Sequence, residues 1–221
     1  MIFRVVEIFA SINGESRRAG APAVFVRLAG CNVRCTYCDT LWALEPNVAF
    51  TPMTEDDIYD KILSYGITNV TITGGEPLIS KGIDLLFKKL SEDERLYVEV
   101  ETNGSIPIKP YLGIKNRPSF TLDYKLPGSG VERTMCMENF ALCESMDTVK
   151  FVCSDEADLQ RALEIIRQYH LDERCAVYLS PVWGRINPQI MVEFMLENRL
   201  NGVKLQLQLH KFIWDPDKRG V

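Results

Sequence analysis

The chain has 221 residues, a mass of 25.2 kDa, 25 Lys and Arg against 30 Asp and Glu, and a pI near 5.2. A hydrophobic fraction of 46% and a charged fraction of 25% suit one globular domain over 1–221 with a sizeable core, and exclude general disorder. A net charge of −5 excludes the basic footprint of a general nucleic-acid binder. No apolar run reaches the roughly 18 to 20 residues that span a bilayer. The opening MIFRVVEIFASINGES carries Arg4 and Glu7 inside its apolar stretch and has no signal-peptide layout. The expectation is a cytoplasmic protein with no nucleic-acid or membrane partner.

Along the chain, strand and helix patterns alternate. A strand at 23–28 comes first. A helix over 54–65 opens on Thr54, followed by Glu55, Asp56 and Asp57, acids suited to a helix N-terminus. After a strand at 69–73, the spacing of Ile83, Leu86, Phe87 and Leu90 gives one apolar stripe on a helix over 80–91. Strands at 96–101, 119–124 and 147–153 precede a helix over 155–169. A strand at 175–180 leads to a helix over 188–199, capped by Asn187 with Pro188 at its first position. The last strand is expected at 203–209. Such βα alternation implies a mostly parallel sheet.

Several strands are polar on one face. Gln206 and Gln208 lie opposite Val203, Leu205, Leu207 and Leu209, with His210 continuing the polar side. Glu99 and Glu101 oppose Val98 and Val100, and Thr121 and Asp123 oppose Leu122. A flat parallel sheet covered on both sides is apolar on both faces. A curved sheet with helices outside and a ligand-filled concave side explains the pattern. The chain is too short for eight βα units at about 250 residues, so the expected fold is α/β, a partial, open TIM-like barrel with ligands at the C-terminal strand ends.

Seven cysteines are present, and three form Cys31-x-x-x-Cys35-x-x-Cys38 directly after the first strand. Three thiolates there suit an iron–sulfur cluster with one iron left open. Structural zinc is the alternative, but it takes four ligands, and the other cysteines, His170 and His210 are scattered. Cys136, Cys143, Cys153 and Cys175 read as small core residues. This loop resembles the signature of the radical S-adenosylmethionine (SAM) enzymes. The resemblance implies a [4Fe-4S] cluster on Cys31, Cys35 and Cys38, and SAM on the open iron. Thr73-Gly74-Gly75-Glu76-Pro77, at a strand end, is similar to the superfamily segment that meets the SAM amino group.

Within that superfamily the chain most resembles the 7-carboxy-7-deazaguanine synthase family, over most of its length. The matching segments are Glu7-Ile8-Phe9 with Ile12-Asn13-Gly14-Glu15, Phe25-Val26-Arg27-Leu28, Cys38-Asp39-Thr40, Glu101-Thr102-Asn103-Gly104 and Gln208-Leu209-His210-Lys211. The resemblance implies conversion of 6-carboxy-5,6,7,8-tetrahydropterin to 7-carboxy-7-deazaguanine and ammonia, in queuosine precursor synthesis. It assigns the pterin substrate to Ile12, Asn13, Gly14, Glu15, Arg27, Thr73 and His210. SAM falls to Tyr37, Cys38, Asp39, Gly74, Gly75, Glu76, Glu101, Asp123, Tyr124, Lys125 and Ser180, and Mg²⁺ to Thr40. A homodimer and a flavodoxin or ferredoxin electron donor are also implied.

The chain departs from the family pattern at Asn13, often glutamine, and at Ser16, commonly glycine. It also departs at Asp123-Tyr124-Lys125, often Ser-Pro-Lys, and in its longer C-terminal segment. Structural readings stand beside the ligand readings: Arg27 as an ion-pair member, Glu76 and Glu101 as loop caps, and His210 as a structural donor. Two rival functions remain at this point. A glycyl-radical activating enzyme shares the cysteine loop and an Asp-x-Lys element like Asp123-x-Lys125. A non-catalytic iron–sulfur or zinc scaffold needs neither the Gly-Gly-Glu-Pro segment nor the polar strand faces.

Overall fold

A computed structural model describes residues 1–45, 47–216 and 218–221. Its strands are β1 (Phe3–Ile12), β2 (Pro22–Leu28), β3 (Thr51–Met53), β4 (Asn69–Gly74), β5 (Tyr97–Thr102), β6 (Ser119–Tyr124), β7 (Thr148–Cys153), β8 (Ala176–Pro181) and β9 (Val203–Leu205). They form one sheet in the order β3-β1-β2-β4-β5-β6-β7-β8-β9. From β2 through β9 every neighbouring pair is parallel, while β1 runs antiparallel to β2 and β3. The sheet is open between β3 and β9.

The helices are α1 (Glu55–Leu63), α2 (Ile83–Ser91), α3 (Glu138–Leu142), α4 (Glu156–Tyr169), α5 (Leu171–Arg174), α6 (Pro188–Glu197) and α7 (His210–Ile213). Their starts follow local chemistry. Thr54 and Asp57 form a capping box, Thr54 Oγ1 accepting from Asp57 N at 3.1 Å and Thr54 N donating to Asp57 Oδ2 at 2.8 Å. Asp155 accepts from Asp158 N at 2.9 Å, and Asn187 from Gln189 N at 3.0 Å. The second helix begins at 83 rather than 80 because Gly82 is left-handed, with φ of 78°.

Ile58, Ile62, Leu86, Phe87, Leu90, Leu159 and Leu163 are buried with Val26, Ile72, Val100, Leu122, Val149 and Phe151 in one core on the outer side of the sheet. Each such side chain contributes about 1.5–3 kcal/mol by leaving water. Residues alternating with these turn inward: Thr71, Thr73, Glu99, Thr121 and Lys150 are buried polar positions of the concave face.

Several elements differ from the sequence reading. β1 was not expected, because a register shift between Val5 and Glu7 breaks its alternation. The last strand stops at Leu205 rather than 209. Gln206 N still donates to Leu179 O at 2.9 Å, and the chain then turns inward, Leu209 N reaching Gly14 O at 3.0 Å. Gln206 and Gln208 remain buried, so the face was read correctly although the ladder ends early. The short β3, α3 and α5 carry too few residues to show a period.

Candidate active site

A cavity of about 730 Å³ opens at the C-terminal ends of the parallel strands. Cys31, Cys35 and Cys38 all line it, on the loop that leaves β2. The loop is tied down from several sides. Thr36 N donates to Ser129 O at 3.0 Å and Thr36 Oγ1 to Gly128 O at 2.8 Å. Arg34 Nη1 donates to the carbonyls of Cys31 and Val33 at 3.0 and 2.8 Å. Tyr37 donates to Val152 O at 3.2 Å, with the Arg185 guanidinium 5.7 Å from its ring. Burial pushes the Cys35 thiol up, and the Lys125 ammonium beside it pulls the other way.

The thiols suit a cluster better than a single ion. Asn103 Nδ2 lies 3.6 Å from Cys31 Sγ, an N–H donor aimed at sulfur. Three separate thiols around one cavity are the donor set of an iron–sulfur cluster. Thr40 Oγ1, 3.6 Å from Cys38 Sγ, also faces the cavity.

Gly74 and Gly75 line the cavity next to this loop. Gly75 N donates to Leu28 O at 3.3 Å and Glu76 N to Gly30 O at 2.9 Å, so β4 ends against the backbone that enters the cysteine loop. A Cβ on Gly74 would collide with the Leu28 backbone, and one on Gly75 with the Gly30 carbonyl. The glycines thus serve backbone-to-backbone approach as well as access for a ligand.

Arg27, Thr73, Glu101, Asp123, Lys125 and Lys150 form the polar wall. Arg27 Nε donates to Glu7 Oε1 at 2.7 Å, an antiparallel cross-strand pair that leaves the outer edge of the guanidinium open to the cavity. Thr73 donates to Glu101 Oε2 at 3.0 Å. Burial raises the pKa of Glu101; Lys150 opposes this, while Glu99 and Glu15 add to it. Lys125 Nζ donates to Asp123 Oδ2 at 2.7 Å, and Lys150 Nζ lies 3.3 Å from Glu15 Oε2 and 3.9 Å from Asp123 Oδ2. Gln208 Nε2 donates to Glu15 Oε2 at 3.3 Å. Burial pushes the His210 imidazole down, with Glu15 pulling it up. Asp39 pairs with Lys211 at 3.7 Å. Glu15 Oε1 and Asp123 Oδ1 are buried with no partner among the described residues, although both residues line the cavity. Unpaired buried acceptors cost free energy, so a ligand with N–H or O–H groups fits this wall.

Of the residues expected at ligands, Ile12, Gly14, Tyr37 and Asp39 also line the cavity, and four do not. Glu76 is fully buried, its carboxylate accepting from Leu78 N at 2.9 Å, Thr102 Oγ1 at 2.9 Å and Asn103 N at 2.7 Å. It caps the loop after β4 and ties it to the end of β5, the structural alternative weighed for it. Tyr124 alternates with Asp123 and Lys125, so it faces the core, its ring tilted against Phe140 at 5.1 Å and its hydroxyl donating to Glu132 Oε1 at 2.8 Å. Asn13 accepts from Thr71 Oγ1 at 2.9 Å, with its Nδ2 buried and unpaired among the described residues. Ser180 is fully buried, with Oγ unpaired among the described residues.

Other lining residues were missed. Phe9 and Phe25, opposite each other on β1 and β2, stack at 5.1 Å; the alternation of Glu7, Phe9 and of Phe25, Arg27 is their signal. Trp42 and Trp183 also line the cavity, as do Lys218 to Val221, with Arg219 4.4 Å from the Trp42 ring. No period marks these loop positions. Lys150, which no motif marks, joins them with its side chain only 10% exposed.

A model of the Radical SAM superfamily matches residues 26–123. Over 221 residues, all of both chains, the sequence is 51% identical to a 7-carboxy-7-deazaguanine synthase of Clostridium acetobutylicum. It is 41% identical over 220 residues to one of Chlorobaculum tepidum, covering 98% of this chain and 96% of that one. The fold is similar to the crystal structure of QueE from Escherichia coli, with a TM-score of 0.75 at 22% identity over 94% of each chain. With three thiols on one cavity at the strand ends and this identity over the full length, the chain belongs to the 7-carboxy-7-deazaguanine synthase family of the Radical SAM superfamily.

Proposed function

We propose that the protein converts 6-carboxy-5,6,7,8-tetrahydropterin to 7-carboxy-7-deazaguanine and ammonia, as a radical SAM lyase. The observation that carries this reading is the joining of the three thiols and the buried polar wall in one cavity. The change is redox-neutral overall: the atoms lost are one nitrogen and three hydrogens. When bound, the cluster and SAM supply the radical that begins the reaction by taking hydrogen from substrate C6, and SAM is regenerated.

The protein's own groups bind and orient. Arg27, with Nε committed to Glu7, offers its two remaining nitrogens to the substrate carboxylate. The unpaired acceptors on Glu15 and Asp123 suit N–H and O–H groups of pterin and SAM. Thr73 and the backbone of Ile12, Asn13 and Gly14 complete the pterin edge. His210, neutral through burial, is a donor or acceptor rather than a cation. Asp39 and Lys125 suit SAM. Thr40 is the ligand for Mg²⁺, which keeps waters and needs few protein ligands. Phe9, Phe25 and Trp42 give the cavity apolar faces that exclude water. A homodimer, a flavodoxin or ferredoxin as donor, and a cytoplasmic setting complete the proposal. Among the described residues no helix is long and apolar enough to cross a membrane.

The test is anaerobic reconstitution with iron and sulfide, followed by SAM, Mg²⁺, dithionite and the tetrahydropterin, with mass spectrometry of the products. SAM-dependent 7-carboxy-7-deazaguanine that disappears in Cys35→Ala is expected. Formation of 5′-deoxyadenosine without that product would refute the pterin assignment.

A further inference from the structure

Amine loss in the proposed reaction moves protons inside a cavity walled by the sheet, and a second polar feature lies directly beneath it. At the N-terminal strand ends, the opposite end from the cysteine loop, there is another cavity of about 710 Å³. Glu99, two residues before Glu101 on the same face of β5, lines this lower cavity and is 5% exposed. Thr121 lines the upper one. The two meet: Thr121 Oγ1 donates to Glu99 Oε1, Ser16 Oγ donates to the same oxygen, and the two hydroxyls are 2.9 Å apart.

Ser16 is held in this place against its backbone preference. Its φ of 69° lies in the left-handed region that favours glycine. Both of its backbone groups are fixed by one amide: Ser16 N donates to Gln206 Oε1 at 2.6 Å, and Gln206 Nε2 donates to Ser16 O at 2.9 Å. A strained, buried serine whose hydroxyl bridges a carboxylate and a second hydroxyl calls for a use of that hydroxyl. Hydroxyls both donate and accept, so reversing their direction moves a proton.

We propose that Glu99 and Thr121, aligned by Ser16, form a proton path from the lower, solvent-facing cavity to the reacting amine. This rests on the pterin reading. Glu99 takes a proton from solvent and donates it to Thr121 Oγ1, whose own hydroxyl proton passes upward. The amine protonated in this way leaves as ammonia, taking the C–N bonding pair; the ring gives up one proton to solvent as it becomes aromatic, and solvent reprotonates Glu99. No electrons change hands. The charged groups around the path are Glu15, Glu101, Asp123 and Lys150 above, and Arg17, Arg18, Asp93, Glu94 and Arg117 below.

The test uses the reconstituted enzyme and its C6-deuterated substrate. Glu99→Gln keeps the shape but carries no proton, and is expected to lower turnover about a hundredfold. Transfer of deuterium from C6 into SAM should stay at the wild-type rate, since it precedes amine loss. Glu99→Ala opens a space onto the lower cavity, and added formate should restore turnover about tenfold; a merely structural role would not respond. Thr121→Val should slow turnover and change the solvent isotope effect, and it decides the matter if Glu99 variants fail to fold. Wild-type turnover in Glu99→Gln, or Glu99→Ala that formate does not rescue, would overturn the path. A wild-type enzyme that makes no deazaguanine product would instead refute the pterin reading, and this path with it.

Discussion

Replacing Lys150 with methionine tests whether the wall of the cavity is held by charge. The Lys150 side chain is 10% exposed, and its ammonium lies 3.3 Å from Glu15 and 3.9 Å from Asp123. At an effective dielectric near 20 these separations correspond to about 5 and about 4 kcal/mol of gross attraction. Much of that is offset by the desolvation of the three groups. Removing one partner from a buried group of this kind costs about 3–5 kcal/mol, because the carboxylates stay buried without their counter-charge. Burial alone would push the ammonium down, yet Glu15, Asp123 and Glu101 together raise it, so Lys150 is charged across the working pH range. Lys150→Met keeps the alkyl stem and removes the charge. Urea unfolding of the apo protein at pH 7 should show a loss of about 3 kcal/mol or more. Lys150→Met with Glu15→Gln should recover at least about 1 kcal/mol of it, since one orphaned charge is gone. A loss below about 1 kcal/mol, or strict additivity in the double variant, would refute the electrostatic account.

Three further outcomes are expected. Gly75→Ala drives a methyl into the Gly30 carbonyl and to 2.5 Å from Leu44 Cδ2; it should cost about 1–3 kcal/mol and lower the iron bound after reconstitution, read by thermal melting and iron assay. Glu76→Gln sets an amide N–H against one of three donors and should destabilise by about 1–3 kcal/mol, with SAM affinity of the folded loaded protein within about threefold of wild type; calorimetric titration showing a tenfold loss at unchanged stability would make Glu76 a ligand contact instead. Because burial lowers the folded-state pKa of His210, the unfolded chain binds its proton first as pH falls below the ordinary imidazole value of about 6.5. Stability should therefore drop between about pH 7 and 5.5 more steeply in wild type than in His210→Gln; equal slopes in urea titrations would refute the buried neutral imidazole.

The fold and the cysteine loop were legible because each rested on a strong local signal. Period-2 alternation in Glu99, Glu101, Thr121 and Asp123 revealed a polar concave face before any tertiary contact was known, and the apolar stripe of α2 fixed its buried side. Where the signal was interrupted, the reading failed: the register shift after Val5 hid β1, and the inward turn after Leu205 was taken for more strand. The site shows the same division. Arg27, Thr73 and the three cysteines were found at strand ends, where position implies direction. Glu76 and Tyr124 lie outside the cavity lining, since a motif names residues without saying which way they face, and strand alternation sets Tyr124 opposite Asp123. Trp42 and the segment near Arg219 sit on loops, whose inward approach depends on contacts far apart in sequence.

The pairing of Ser16 with Gln206 joins positions 190 residues apart, and Leu209 N closes on Gly14 O nearby. During synthesis, the loop after β1 thus waits for nearly the whole chain before its partners exist. Local helices and the β1–β2 hairpin can form as the nascent chain emerges, but the floor of the cavity cannot. Contacts of such separation also slow folding, since a long loop must close before any bond rewards it. Insertion of iron and sulfide into a finished pocket therefore waits until Gln206 and Leu209 have reached this loop. A chain stalled before Gln206 would display the three cysteines on an unfinished wall, exposed to oxidants and to the wrong metals.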